Sequence, residues 1–130
     1  MMLEHKHFIF RGKLDFNESA WNVDVIHNWL ISLVQLLDMK LLIDPQVVFC
    51  TEPNNEGITG LCAITTSSLT YHSWVDGNML QLDVYSCKDF DPVRVLHQVE
   101  KLGTLLDYSF ITIDRNHKIE VLEYYNARTH

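Results

Sequence analysis

Leu69-Thr70-Tyr71-His72-Ser73-Trp74-Val75-Asp76-Gly77-Asn78-Met79-Leu80-Gln81-Leu82-Asp83-Val84-Tyr85-Ser86 reads as two β-strands joined by a tight turn. Side chains alternate across a strand. Leu80, Leu82 and Val84 therefore form one apolar face, with Gln81, Asp83, Tyr85 and the following Cys87 opposite. In the strand before it, Leu69, Tyr71, Ser73 and Val75 share one face and Thr70, His72 and Trp74 the other. Asp76-Gly77-Asn78 is the hairpin turn, where Gly supplies the positive φ that compact turns need. A strand over Thr59–Thr66 precedes this pair, after a loop over Glu52–Glu56 that carries Pro53, Asn54 and Asn55.

Outward from this meander, His5–Leu14 reads as a first strand, with Phe8 and Phe10 on one face and Ile9 on the other. Asn17 or Ser19 can cap a long helix running to about Met39, with Val25, Ile26, Trp29, Leu30, Leu33, Leu36 and Leu37 at helical spacing. Leu41–Thr51 reads as a strand with a break at Asp44-Pro45. Asp91-Pro92 opens a second helix, Asp as N-cap and Pro at the first helical position. Val95, Leu96, Val99 and Leu102 form its stripe, and Gly103 is placed to end it. Tyr108–Asp114 and Lys118–Tyr124 close the chain as a hairpin around Asn116. The order β-α-β-β-β-β-α-β-β predicts an α+β fold, a two-layer α/β sandwich of a mostly antiparallel sheet with two helices on one face, in a single domain over residues 1–130.

The 130 residues suffice for one core and not for two. Hydrophobic residues make up 47% and charged residues 21%, which argues against long disorder. Ten Lys and Arg against 17 Asp and Glu give a formal charge of −7. That balance disfavours nucleic acid and anionic membrane surfaces as partners. The first residues show no basic segment followed by an apolar stretch, so no signal peptide is expected. Cys50, Cys62 and Cys87 are odd in number and form no CxxC pair, which fits reduced thiols in a cytoplasmic protein.

From Gly57 to Val75, 19 residues pass without Asp, Glu, Lys or Arg. The run is too polar to span a membrane and holds the richest chemistry of the chain: hydroxyls, His72 and Trp74. A Ser–His–Asp hydrolase is excluded by the lack of a G-x-S-x-G elbow. The alternation allows a hairpin to bring His72 and Cys87 to one side of the sheet, in a register the sequence leaves open. Glu4-His5-Lys6-His7 contains metal-ligand types, but no metal site is expected there. Trp21 and Trp29 suit core or dimer contacts. His27, His97, His117 and His130 read as surface residues.

Gly57-Ile58-Thr59-Gly60, then Ser67-Ser68-Leu69-Thr70-Tyr71-His72-Ser73-Trp74, then Leu82-Asp83-Val84-Tyr85-Ser86-Cys87 resembles the core of the short prokaryotic S-adenosylmethionine decarboxylase proenzymes. The family's cleavage serine, histidine and cysteine match Ser67, His72 and Cys87 without a gap, and Trp74, Asp76 and Asp91-Pro92 are similar too. The resemblance covers about residues 57 to 100.

It implies self-cleavage between Thr66 and Ser67, with Ser67 becoming a pyruvoyl group. That ketone forms a Schiff base with a substrate amine and acts as electron sink. His72 would be the base for the elimination, and Cys87 would return a proton to the substrate carbon. Thr59 matches a family serine that supports the backbone rearrangement. Trp74, Asp76 and Leu69 are the implied substrate contacts, with Trp74 toward the adenine or sulfonium and Asp76 toward the ribose. The implied partners are S-adenosylmethionine and a second copy in a homodimer, in the cytoplasm. Two positions depart from the family: Thr66 stands for its Glu, and Ser68 for its His. Ser68 also offers a neighbouring hydroxyl at the cleavage point, although Ser67 keeps both spacings. The alternatives are an unprocessed homologue that binds a nucleoside-like ligand or a partner protein, and pyruvoyl chemistry on arginine or ornithine.

Overall fold

The structure is a computed structural model, and residues 4–128 are described. The chain runs β1 (Lys6–Phe16), a 3-10 turn (Glu18–Trp21), α1 (Val23–Leu36), β2 (Gln46–Cys50), β3 (Gly57–Ile64), β4 (Ser67–Trp74), β5 (Met79–Ser86), α2 (Pro92–Val99), β6 (Gly103–Asp114) and β7 (Glu120–Arg128). The strands form one sheet in the order β2-β3-β4-β5-β1-β6-β7, and every pairing is antiparallel. The helices cover one face, so the expected α+β sandwich is what forms.

The alternation read from the sequence places the core. Phe8, Phe10 and Leu14 of β1, Leu69 and Tyr71 of β4, and Leu80, Leu82 and Val84 of β5 are buried, facing Ile26, Leu30 and Leu33 of α1 and Val95 and Val99 of α2. Each fully buried aliphatic side chain of this kind contributes about 1.5–3 kcal/mol. The Trp29 indole N–H donates to the Gln98 carbonyl at 2.7 Å and clasps the two helices together. Trp29 is thus core, while Trp21 rests on Phe16 at 4.7 Å between ring centres.

Several boundaries differ from the sequence reading. The first helix is capped by Asn22, whose side chain accepts from the N–H groups of Asp24 (2.9 Å) and Val25 (3.1 Å). Asn17 instead donates from its side chain to the Lys101 carbonyl, and Ser19 falls inside the 3-10 turn. The helix stops at Leu36, because Asp38 takes a left-handed conformation at φ +56°. The strand expected from Leu41 begins only at Gln46, after Pro45, and Leu41 makes an isolated bridge to Ile64. Asp91 caps α2 as expected, accepting from the Val93 N–H at 3.0 Å. Gly103 does not end that helix: Glu100 is its C-cap, and Gly103 opens β6 where a Cβ would overlap the Asp15 carbonyl oxygen. β6 and β7 both run longer than the closing hairpin read from sequence.

The face away from the helices is open. Short polar ladders cross it: His7 Nε2 to Asp83 (3.2 Å), Arg11 to Asp107 (2.9 Å) and His5 Nδ1 to the Tyr85 hydroxyl (2.8 Å). Leu61 and Val48 lie exposed on the same face. Among the described residues, no helix is long and apolar enough to cross a membrane.

Candidate active site

Thr65 and Thr66 form the turn between β3 and β4, whose last and first residues, Ile64 and Ser67, pair across the ladder. The strand expected over Thr59–Thr66 thus ends early, and the Thr66–Ser67 bond lies at a turn-to-strand junction. Thr66 has φ +50°, a left-handed conformation that is unusual for a β-branched residue. Ser67 is the first residue of β4, on the helix-covered face, and is only 9% exposed.

Cys87 meets it there. The Cys87 N–H donates to Ser67 Oγ at 3.0 Å, and its Sγ lies 3.8 Å from the Thr65 carbonyl oxygen. The Ser67 hydroxyl, followed by that of Thr66, holds the Cys87 thiol below its ordinary pKa by hydrogen bonding. Cys62 is the contrast: burial alone pushes its thiol up to about 11, which leaves it inert near neutral pH. A cleft of about 310 Å³ opens beside Cys87, lined by Asp38, Met39, Lys40, Thr65 and Lys88. Lys88 is tied across it by donating to the Asp38 carbonyl at 2.6 Å.

His72 lies elsewhere. It pairs across the ladder with Thr59, and Thr59 Oγ1 is 3.0 Å from His72 Nδ1. Its ring centre is 6.1 Å from that of Trp74 on the same open face. Ser67 and His72 are five residues apart on one strand, so they stand roughly 16 Å apart along it, and odd spacing sends them to opposite faces. The side shared by His72 and Cys87 that alternation allowed does not form. β5 ends at Ser86, whose hydroxyl donates to the Lys88 carbonyl (2.7 Å) and accepts the Lys88 N–H (2.9 Å). That local turn carries Cys87 out of the strand's alternation and toward Ser67.

The other candidates separate in the same way. Ser68 is exposed on the open face opposite Tyr85. Asp76 is exposed at the β4–β5 turn, near the Trp74 end of the strand. Leu69 is 1% exposed within the hydrophobic core, which leaves it no surface for a ligand. The glycines before them are packing requirements. A Cβ at Gly57 would overlap the Ser73 carbonyl oxygen, and one at Gly60 would meet Leu30 Cδ1 of α1 at 2.7 Å. Among the described residues, no group of three or more His, Cys, Asp or Glu is placed to hold a metal. His130 lies outside the described residues.

The S-adenosylmethionine decarboxylase family profile matches residues 15–116, a segment that contains Ser67, His72 and Cys87. The chain belongs to this family. No curated protein matches it. Membership implies a decarboxylase that acts on S-adenosylmethionine, and the family is generally pyruvoyl-dependent. Of the three motif residues within the matched segment, the structure brings Ser67 and Cys87 together and leaves His72 apart. The signals that sequence reading missed are the left-handed Thr66 and the Lys88–Asp38 tie, both of which depend on turn geometry.

Proposed function

We propose that this chain is a self-processing, pyruvoyl-dependent decarboxylase of S-adenosylmethionine, supplying the decarboxylated product for spermidine synthesis as a cytoplasmic homodimer. The observation that carries this reading is the Ser67–Cys87 contact: a buried hydroxyl held by a backbone N–H, beside a thiol of lowered pKa, at the one bond where the family cleaves.

Cleavage needs no co-reactant in its first step. Ser67 Oγ attacks the Thr66 carbonyl carbon, a C–O bond forms, the Thr66–Ser67 C–N bond breaks, and the hydroxyl proton moves to the nitrogen. The amide thereby becomes an ester. In the second step a base removes the Ser67 Cα proton as the Thr66 carboxylate leaves. Water then hydrolyses the resulting enamine, through its imine form, releasing ammonia and leaving a ketone. His72 suits the base role in residue type, with the Thr59 hydroxyl on its Nδ1 to fix ring orientation. It cannot reach Ser67 of its own chain across roughly 16 Å and the thickness of the sheet. A second copy therefore supplies the Thr59–His72 pair, together with Trp74 and Asp76, to the Ser67–Cys87 end of the first. Such an association would set the open sheet face of the second copy against the β3–β4 turn and the cleft beside Cys87, the side from which Ser67 is reached.

The residues present fit a pyruvoyl group: its parent serine is shielded, and a cleft opens beside it. Such a group supplies an electron sink when it is formed. Cys87 then delivers a proton to the substrate carbon, and Trp74 offers an aromatic face to a cationic sulfonium or to adenine.

A second reading is favoured by Thr66 and Ser68, which remove an acid and an imidazole from the cleavage point. In it the chain is an uncleaved homologue that binds a nucleoside-like ligand or a partner protein. Pyruvoyl chemistry on arginine or ornithine is the remaining option. Carbon dioxide release from carboxyl-labelled S-adenosylmethionine, arginine and ornithine separates the three. Release from S-adenosylmethionine alone is expected. Release from an amino acid instead changes the substrate, and release from none supports the non-catalytic homologue.

A further inference from the structure

Two consecutive hairpins of this chain use opposite chemistry at their turns. The β4–β5 turn places Gly77 (φ +81°) and Asn78 (φ +52°) in the left-handed region. These are the residues that adopt it most readily. The β3–β4 turn places Thr66 there, at φ +50°. The remaining non-glycine residues with positive φ among those described are Asp38 and Asn54, whose short polar side chains also tolerate it. Thr66 alone is β-branched, and its position is exposed, so no packing demand selects it.

Its hydroxyl donates to the Thr65 carbonyl at 2.8 Å, which ties the side chain back to the turn. On the far side, Ser67 enters the β4 ladder and is pinned by the Cys87 N–H. The strained residue is thus clamped on both sides, and its own carbonyl carbon is the one Ser67 Oγ would attack.

We propose that Thr66 is a positioning residue for self-cleavage: its β-branched side chain, held in the left-handed region by the flanking ladder, keeps the backbone next to the Thr66–Ser67 bond in a strained conformation that cleavage releases. This rests on the reading that the bond is cleaved. Torsional strain present in the uncleaved turn and relaxed on the way to the ester lowers the barrier between them. It also gives a reason for Thr where a plain hairpin would carry Gly or Asn.

The test compares Thr66→Asn, Thr66→Gly and Thr66→Val with the parent, following the loss of full-length chain by mass spectrometry. Thermal melting is measured in parallel in a Ser67→Ala background, where every variant stays whole. Asn and Gly should raise the melting temperature and slow cleavage about tenfold, equivalent to ~1.4 kcal/mol. Val, which keeps the branch and lacks the hydroxyl, should cleave near the parental rate. Asn and Gly variants that melt higher but cleave as fast as the parent overturn the inference. So does a Val variant as slow as Gly, since that assigns the effect to the hydroxyl. A parent chain that never cleaves removes the functional reading itself, and this inference falls with it.

Discussion

Ser67 and His72 share strand β4 yet face opposite sides of the sheet, Ser67 toward the helices and the Cys87 N–H, His72 toward the open face and Thr59. Within one copy the sheet separates the two side chains, and in the proposed cleavage the base must then come from a second copy.

That requirement is testable by mixing. Ser67→Ala cannot be cleaved but retains His72. His72→Ala retains the serine but lacks the base. Each variant alone should stall, the second with ester accumulating that hydroxylamine releases. Co-expressed, the His72→Ala chain should be cleaved and the Ser67→Ala chain should not. Stalling of the mixture would mean that His72 serves its own chain.

The thiols should differ sharply in reactivity. In the uncleaved protein the Ser67 hydroxyl, then the Thr66 hydroxyl, lowers the Cys87 pKa, while burial raises Cys62 to about 11. Iodoacetamide should modify Cys87 ahead of Cys62, with a midpoint below the ordinary thiol value. Ser67→Ala should shift that midpoint upward by removing the leading cause. In the processed enzyme, Cys87→Ser should lower decarboxylation about 10²-fold or more if the thiol is the proton donor.

The Nε2–H of His27 on α1 donates to both Asp44 carboxylate oxygens at 2.9 Å, and this hydrogen bond raises its pKa above 6.5. A raised folded-state pKa means stability that is fully present below pH 6.5 and lost as pH rises through the folded value. The melting temperature of the parent should therefore fall, relative to His27→Gln, between mildly acidic and mildly basic pH. A constant difference across that window would show that the pair contributes no linkage.

The Tyr71 hydroxyl is fully buried and makes no hydrogen bond of full geometry among the described residues, only a weak interaction with the Ser73 hydroxyl. Burial accordingly pushes its pKa far up. Tyr71→Phe keeps the ring against Trp29, 5.6 Å away, and removes the unsatisfied group. It should stabilise the fold by about 1 kcal/mol, read from denaturant unfolding. A loss of similar size would reveal a partner for the hydroxyl.

Much of this architecture is legible in the sequence because it follows from local rules. The alternation in Leu80-Gln81-Leu82-Asp83-Val84 sets which side faces the helices, and Asp91-Pro92 marks the second helix. The start of the first helix is ambiguous in the sequence because Asn17, Ser19 and Asn22 are all competent caps. The 3-10 turn over Glu18–Trp21, with Asn17 tied to Lys101, moves the helix start to Asn22. The site was legible as residues and not as geometry. Spacing identifies Ser67, His72 and Cys87, but the escape of Cys87 from the β5 alternation depends on the Ser86–Lys88 turn. Leu69 shows the converse, a motif position whose strand parity assigns it to the core.

Intact mass after prolonged incubation of the purified full-length protein reads the Thr66–Ser67 bond directly. Cleavage at Thr66–Ser67 predicts two fragments, residues 1–66 and 67–130, the second carrying a ketone in place of its amino terminus, and none from Ser67→Ala. A single species at the full 15.2 kDa, unchanged with time and identical in behaviour to Ser67→Ala, would contradict it.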